Sequence, residues 1–397
     1  MTELISIDEG RARVLDAVQP LDIEDAALTD ALDRVVARDI ASPRDVPPFD
    51  NSAMDGFAVR AGPPAELEVV GESRAGRPSP AEVGQGQAIR ISTGAALPAG
   101  ASAVVPVERA RALDEAGERV WVDAAEEGAN VLRAGEDVRA GDVVLRKGAV
   151  LGPAELGVAA SIGCDVLPCA RRPRVAVLVT GDELAEPGDP LGPGRIYSSN
   201  AFALGALVER SHATLVRGST VRDDAESTRA ALERALEEAD VVCVSGGVSV
   251  GPHDHVKPAL RELGVAERFW GVALRPGKPT WFGSRDRALV FGLPGNPVSA
   301  MVTFQLFVRP ALAALQGAPA APTRVAAVLD DPVPLLPLRE QAVRVRLSAH
   351  DGGWHAAVTG EQGSHMLTSM LGADGLALVA LGEGEAKPGT PVEVELL

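Results

Sequence analysis

Val175-Ala-Val-Leu-Val-Thr-Gly-Asp-Glu183 is an apolar run that ends abruptly in a hydroxyl, a glycine and two carboxylates. Five apolar residues without polar alternation fit a strand buried on both faces, which belongs in a sheet covered by helices on either side. The chain that follows keeps this rhythm. A helix is expected over Asn200–Glu209, a strand over Thr214–Arg217, and a helix over Ala225–Ala239 with Leu232 and Leu236 on one face. A buried strand at Val241-Val-Cys-Val244, a helix over 256–263, a strand Ala288-Leu-Val-Phe291 and a helix Val298–Leu315 complete the series. Strands and helices in alternation predict a central, mostly parallel, three-layer α/β domain over 172–320, with right-handed crossovers.

On the N-terminal side the pattern differs. Residues 6–40 read as two helices, the first capped by Ser6 and running through Ala12, Val14, Leu15 and Val18. The second is capped by Thr29 or Asp30 and runs through Leu32, Val35 and Val36. Pro43, Pro47 and Pro48 then forbid helix. From 46 to 140, short apolar runs such as Leu67-Glu-Val-Val70 and Gln87-Ala-Ile-Arg-Ile91, punctuated by Gly and Pro, predict a β-rich domain. Residues 141–171, with Gly152-Pro153 opening a helix Ala154–Ser161, read as a connector that returns to 1–45 and makes that helical domain discontinuous. Beyond 321, Val343, Val345 and Leu347 alternate with Arg344 and Arg346, and Asp351-Gly-Gly makes a turn, so 321–397 is expected to be a compact, barrel-like β domain. The fold class is therefore multidomain, α/β plus β.

The formal net charge of −17 repels phosphate backbones and anionic membranes, leaving only a local cationic pocket as a site for anions. Neither nucleic acid nor membrane is an expected partner. Acids at the start, and no uninterrupted apolar run near the ~18 residues of a membrane span, point to a cytoplasmic protein. Cys164, Cys169 and Cys243 are too few and too irregularly spaced for a disulfide framework or a paired metal motif.

In open α/β sheets, ligands bind beyond the carboxyl ends of the strands. Thr180-Gly-Asp-Glu183 puts carboxylates there, although alone it also fits a helix cap followed by a surface acid. Ser245-Gly-Gly-Val-Ser-Val-Gly251 is a glycine-rich turn whose amides can cradle an anion, or an ordinary tight turn; it matches neither a Walker motif nor a dinucleotide fingerprint. His253-Asp-His255 lacks the further ligands zinc requires, so Asp254 is better read as an oxygen ligand for Mg²⁺. Arg275-Pro-Gly-Lys-Pro279 and Pro294-Gly-Asn-Pro297 are rigid loops after strands. Only four lysines stand against 34 arginines, and Lys257 and Lys278 lie in or beside these segments. Pro47-Pro-Phe-Asp-Asn-Ser-Ala-Met-Asp-Gly56 is dense in polar turn formers, each of which an Asx turn would explain singly.

Taken together these residues resemble the molybdopterin molybdenumtransferases, the family of bacterial MoeA and of the E domains of gephyrin-like proteins. The resemblance runs nearly end to end, through PPFDNSAMDGFAV (47–59), RISTGAALPAG (90–100), VLRAGEDV (131–138), TGDEL (180–184), VRDD (221–224), SGGVSVG (245–251), RPGKPTWFG (275–283), GLPGNPVSA (292–300) and GSH (363–365). It implies a MogA-like α/β domain and a homodimer that takes adenylylated molybdopterin and molybdate, inserts molybdenum and releases AMP with Mg²⁺ as cofactor. Transient contact with the molybdopterin adenylyltransferase is also implied.

Carried over by position, Glu183, Asp223 and Asp254 match acids of the α/β pocket, and Asp55 and Asp137 match acids of the β-rich domain; all five are candidate catalytic residues. Glu183 and Asp254 are the candidate metal ligands. Thr93, Ser245, Gly246, Gly247, Ser249, Arg275, Lys278, Pro294, Pro297 and Ser299 are the candidate substrate contacts. Arg275 stands where many relatives have Lys, and His255 where many have Tyr. Two other functions fit parts of the resemblance: a non-catalytic dimeric scaffold of the gephyrin E-domain type, and a molybdopterin adenylyltransferase. All five acids argue against the first, and segments 1–140 and 323–397 against the second.

Overall fold

The computed structural model describes residues 4–247, 254–350 and 352–397; Ser249, His253 and Asp351 lie outside them. The run from Val175 forms strand Arg174–Thr180, which lies second in a six-stranded sheet. The strand order is 214–221, 174–180, 241–245, 288–293, 281–285, 266–270. The first four are parallel to one another and the last two join antiparallel. Helices cover both faces, as a strand apolar on both sides requires. On one face, Leu204 and Val208 pack with Val298, Phe304, Phe307 and Ala311. On the other, Leu232, Leu236, Val256 and Leu260 cover Ala176, Leu178 and Val242. The second strand by sequence continues past Arg217 to Val221, as the outer strand of the sheet.

Helix Ile7–Asp16 forms as expected, with the Ser6 hydroxyl accepting from the Glu9 amide, and its Ile7 and Val14 pack into the α/β core. The second N-terminal helix does not form. Residues Ile23–Ala27 are a strand paired with Val166–Ala170, followed by a single 3₁₀ turn at Leu28–Asp30. Val35 and Val36 are bridged to Val150 and Cys169, and Asp33, at φ 61°, stands in a conformation no helix contains. Val35 and Val36 each find a strand partner, and that pairing overrides a weak helical period. The same packing joins Ala26, Ala31 and Val36 to Leu145, Leu151, Ala159 and Leu167 in one small core.

Residues between 56 and 122 form a curled six-stranded sheet with an apolar cluster on each face. In the C-terminal region the strands 340–350, 353–358, 324–329, 391–396 and 375–379 pair in that order, and the last returns to the first, closing a five-stranded barrel. Closure removes sheet edges. Among the described residues one helical stretch, Pro297–Leu315, is long and apolar enough to span a membrane, and it is 78% buried as a core helix of the α/β layer.

Arg11 and Arg324 converge on Glu395, which is fully buried on a barrel strand. Arg11 Nη2 donates to its two oxygens at 2.9 and 2.7 Å, Arg11 Nε donates to Leu306 O at 3.0 Å, and Arg324 Nη2 donates at 2.7 Å. One carboxylate thus clamps the first helix, the long core helix and the barrel together. Removing a single partner of a buried pair strands the others, so Glu395→Gln is expected to lower unfolding stability by about 3–5 kcal/mol. The denaturant midpoint at unchanged slope measures it; a loss below about 1 kcal/mol would show that water already shares the cluster.

Candidate functional site

The sheet's chain order reverses between strands 174–180 and 241–245, one leading outward to 214–221 and the other to 288–293. At such a switch point the loops leaving adjacent strands diverge and leave a crevice. A cavity of about 650 Å³ occupies this place, lined by the strand ends Thr180, Ser245 and Pro294, with Glu183, Asp223 and Asp254 around it. Among the described residues no lysine or arginine lines it, so its side-chain charge is acidic.

Backbone geometry supplies the opposite sign. Gly246 and Gly247 take φ of 95° and 62°, in the left-handed region, and a Cβ on Gly246 would stand 2.8 Å from Thr180 O. Only glycine lets this turn lie against the neighbouring strand end. Helices Ser199–Arg210 and Pro297–Thr303 both begin at the cavity rim and direct the positive ends of their dipoles towards it. Asn200 holds the two loops in register: its Nδ2 donates to Ser245 Oγ at 2.9 Å and to Gly295 O at 2.8 Å, and Ser245 Oγ donates to Pro294 O at 3.1 Å. Among the described residues Thr180 Oγ1 and Ser198 Oγ, both buried in this wall, have no hydrogen-bond partner.

The Asp223 carboxyl is held above the usual carboxylate range, first by burial and then by the negative charges of Glu183 and Asp182. A cation placed among these groups would relieve both repulsions. Among the described residues no three His, Cys, Asp or Glu side chains form a ready cage for a metal. One or two carboxylates with room for phosphate oxygens and water is the arrangement Mg²⁺ adopts, so the donor set fits that ion.

The cavity therefore gathers Glu183, Asp223, Asp254, Ser245, Gly246, Gly247, Pro294 and Pro297 from the sequence-derived set. Ser299 is buried two residues further along the helix from Pro297. Arg275 and Lys278 lie outside the lining, although Pro279 is part of it. Arg275 instead pairs its strand with Gln341 of the barrel. Asp55, Asp137 and Thr93 are exposed on the β-rich segment, where Asp55 Oδ1 accepts from Thr93 N at 2.7 Å and Thr93 Oγ1 at 3.1 Å. No residue of 46–140 lines the cavity within this chain.

Sequence reasoning missed Ser198, Asn200 and His365, all of which line the cavity. GSH (363–365) was a usable signal: Ser364 Oγ accepts from Asn296 Nδ2 at 2.9 Å, bringing the barrel domain to the rim. Arg344 was also missed. Its side chain is buried, its Nε donates to Ser369 Oγ at 3.1 Å, and burial, with the nearby Arg275 charge, pulls its guanidinium down to about 10.

Three family models cover the chain: the MoeA N-terminal region (domain I and II) over 5–163, a probable molybdopterin binding domain over 176–314, and the MoeA C-terminal region (domain IV) over 326–397. The chain is 42% identical over 318 residues to molybdopterin molybdenumtransferase of Haemophilus influenzae, covering 79% of this chain and 78% of that one. It is 38% identical over 399 residues to molybdopterin molybdenumtransferase 2 of Mycobacterium tuberculosis, covering 96% of both. The crystal structure of the molybdopterin biosynthesis moeA protein from Pyrococcus horikoshii OT3 superposes with a TM-score of 0.83 at 31% identity, covering 100% of both chains. With all three models in order and relatives aligned over nearly its full length, the chain belongs to the molybdopterin molybdenumtransferase (MoeA) family.

Proposed function

We propose that the protein inserts molybdenum from molybdate into adenylylated molybdopterin, releasing AMP and forming the molybdenum cofactor, as a Mg²⁺-dependent cytoplasmic homodimer. The observation that carries this reading is the switch-point cavity, where three carboxylates surround a left-handed glycine turn and two helix N-termini. A phosphoanhydride needs donors on its oxygens and a countercharge beside them. The helix ends and hydroxyls such as Thr180 and Ser198 would supply the first; Glu183 and Asp254 would hold Mg²⁺, which supplies the second by neutralising phosphate charge. Pro294 and Pro297 fix the loop against which the pterin lies, and Asn200 keeps that loop in register with Ser245. Arg275, Lys278 and the buried Arg344 add positive potential on the flank facing the barrel, where a second anion, molybdate, is to be held.

Models spanning the segments before and after the α/β domain favour this activity over an adenylyltransferase. Presence of all five acids favours it over a scaffold. Transient docking of the adenylyltransferase that makes the substrate belongs to the same reading. The purified chain should release AMP from adenylylated molybdopterin only when molybdate is present; no release, or release indifferent to molybdate, would refute it. Lys278→Ala should raise the molybdate concentration needed by about tenfold or more, the worth of one charge-assisted contact, at an unchanged Mg²⁺ requirement.

A further inference from the structure

A second cavity, of about 240 Å³, is lined in part by later turns of the helices that frame the first. Leu207, Met301 and Met370 give it apolar walls, and Arg210 and Arg309 give it two guanidinium groups. Arg309 is the unusual one. Its Nε is buried with no hydrogen-bond partner, and no hydrogen bond or ion pair of its side chain falls among the described residues. The nearest acid, Glu395, already accepts from Arg11 and Arg324, so Arg309 shares one carboxylate's field with two better-placed cations. Burial lowers its proton affinity and the Arg11 charge adds to the effect. Among the described residues Arg210 donates to Leu397 O, at 3.3 Å.

A half-buried cation with no hydrogen bond among the described residues is poorly compensated, and an anion arriving from the space it faces relieves it. Inorganic anions would satisfy the guanidinium groups but waste the apolar walls. At about 30 Å³ per water-sized atom the cavity takes roughly eight heavy atoms, so about six carbons of a carboxylic acid fill it and the end of a slightly longer chain reaches its rim. We propose that this cavity binds a small organic carboxylate with an aliphatic tail, its head group on Arg309 and Arg210 and its tail against Leu207, Met301 and Met370. This site is separate from the switch-point cavity and does not depend on the activity assigned there.

Calorimetric titration of the full chain with octanoate, octan-1-ol and inorganic phosphate at one ionic strength tests it. Octanoate should bind saturably at one site, with the alcohol and phosphate each at least about tenfold weaker, since each lacks half of the recognition. Arg309→Met should cost octanoate at least about tenfold while leaving the protein folded, because it deletes a half-buried charge whose Nε has no partner and keeps the stem's packing. Ala373→Trp, which fills the cavity from its rim with Arg309 intact, should block octanoate equally and serves if Arg309→Met fails to fold. Absence of saturable octanoate binding, binding unchanged in a folded variant, or phosphate or octanol binding as tightly as octanoate would each overturn the proposal.

Discussion

Co-expressed Asp55→Ala and Asp254→Ala chains, each inactive alone, are expected to recover about a quarter of wild-type activity. Asp254 lines the switch-point cavity, whereas Asp55 sits on the β-rich segment, which contributes nothing to the cavity of its own chain. If Asp55 acts on the substrate, a second chain must deliver it. The surface near Asp55 is suited to being covered: Phe49, Met54 and Leu132 are 48%, 41% and 41% exposed, and such apolar groups mark contact surfaces when they cluster. A twofold axis generates both sites from the same contacts, so a mixed dimer carries one intact site and one doubly damaged site. Random pairing makes about half of the dimers mixed, which gives the quarter. Heterodimers selected with two different tags measure it directly. Activity no higher than in the parental variants, with each still folded and dimeric, would place both residues in one chain's chemistry or remove Asp55 from it.

What could be read from the sequence follows from where burial is locally encoded. The α/β layer was legible because a strand covered on both faces writes a continuous apolar run, and Val175–Val179 and Val241–Val244 do so. Its acids and glycines were legible because they terminate those runs, where a switch-point ligand sits. Contacts made by distant strands left no such trace. Val35 and Val36 resembled a helix face until strand 166–170 and Val150 paired with them. Arg344 and Glu395 lie in strands whose alternation points them outward, as Arg346 and Glu393 are, yet barrel closure and the neighbouring helices bury both. Asn200 read simply as a helix start. Its function as a brace between two loops depends on Gly295, almost a hundred residues away.

Glu183→Gln and Asp254→Asn are each expected to raise the Mg²⁺ concentration needed for half-maximal AMP release by about tenfold or more, with excess Mg²⁺ restoring much of the rate. Both substitutions keep shape and remove one anionic oxygen donor from a cavity with no lysine or arginine among the described residues of its lining. Asp223 adds a pH signature. Its carboxyl is held above the usual range by burial and by Glu183 and Asp182, so in the metal-free protein the proton competes for the same oxygens. Mg²⁺ affinity should therefore climb as pH rises through that elevated value and then level off. Stability has the opposite sign. A carboxyl whose folded pKa is raised favours the folded state below its ordinary pKa and loses that contribution as pH rises through the folded value. Asp223→Asn should then be more heat-stable than the wild type at about pH 7 without metal, and the difference should close towards about pH 4, within the usual carboxylate range. Melting temperatures at the two pH values, with and without Mg²⁺, read both effects, and Mg²⁺ should stabilise the wild type more than the variant. If neither Glu183→Gln nor Asp254→Asn shifts the Mg²⁺ midpoint, these acids serve as caps and braces of the loops, and the cavity balances its substrate's charge through the helix ends.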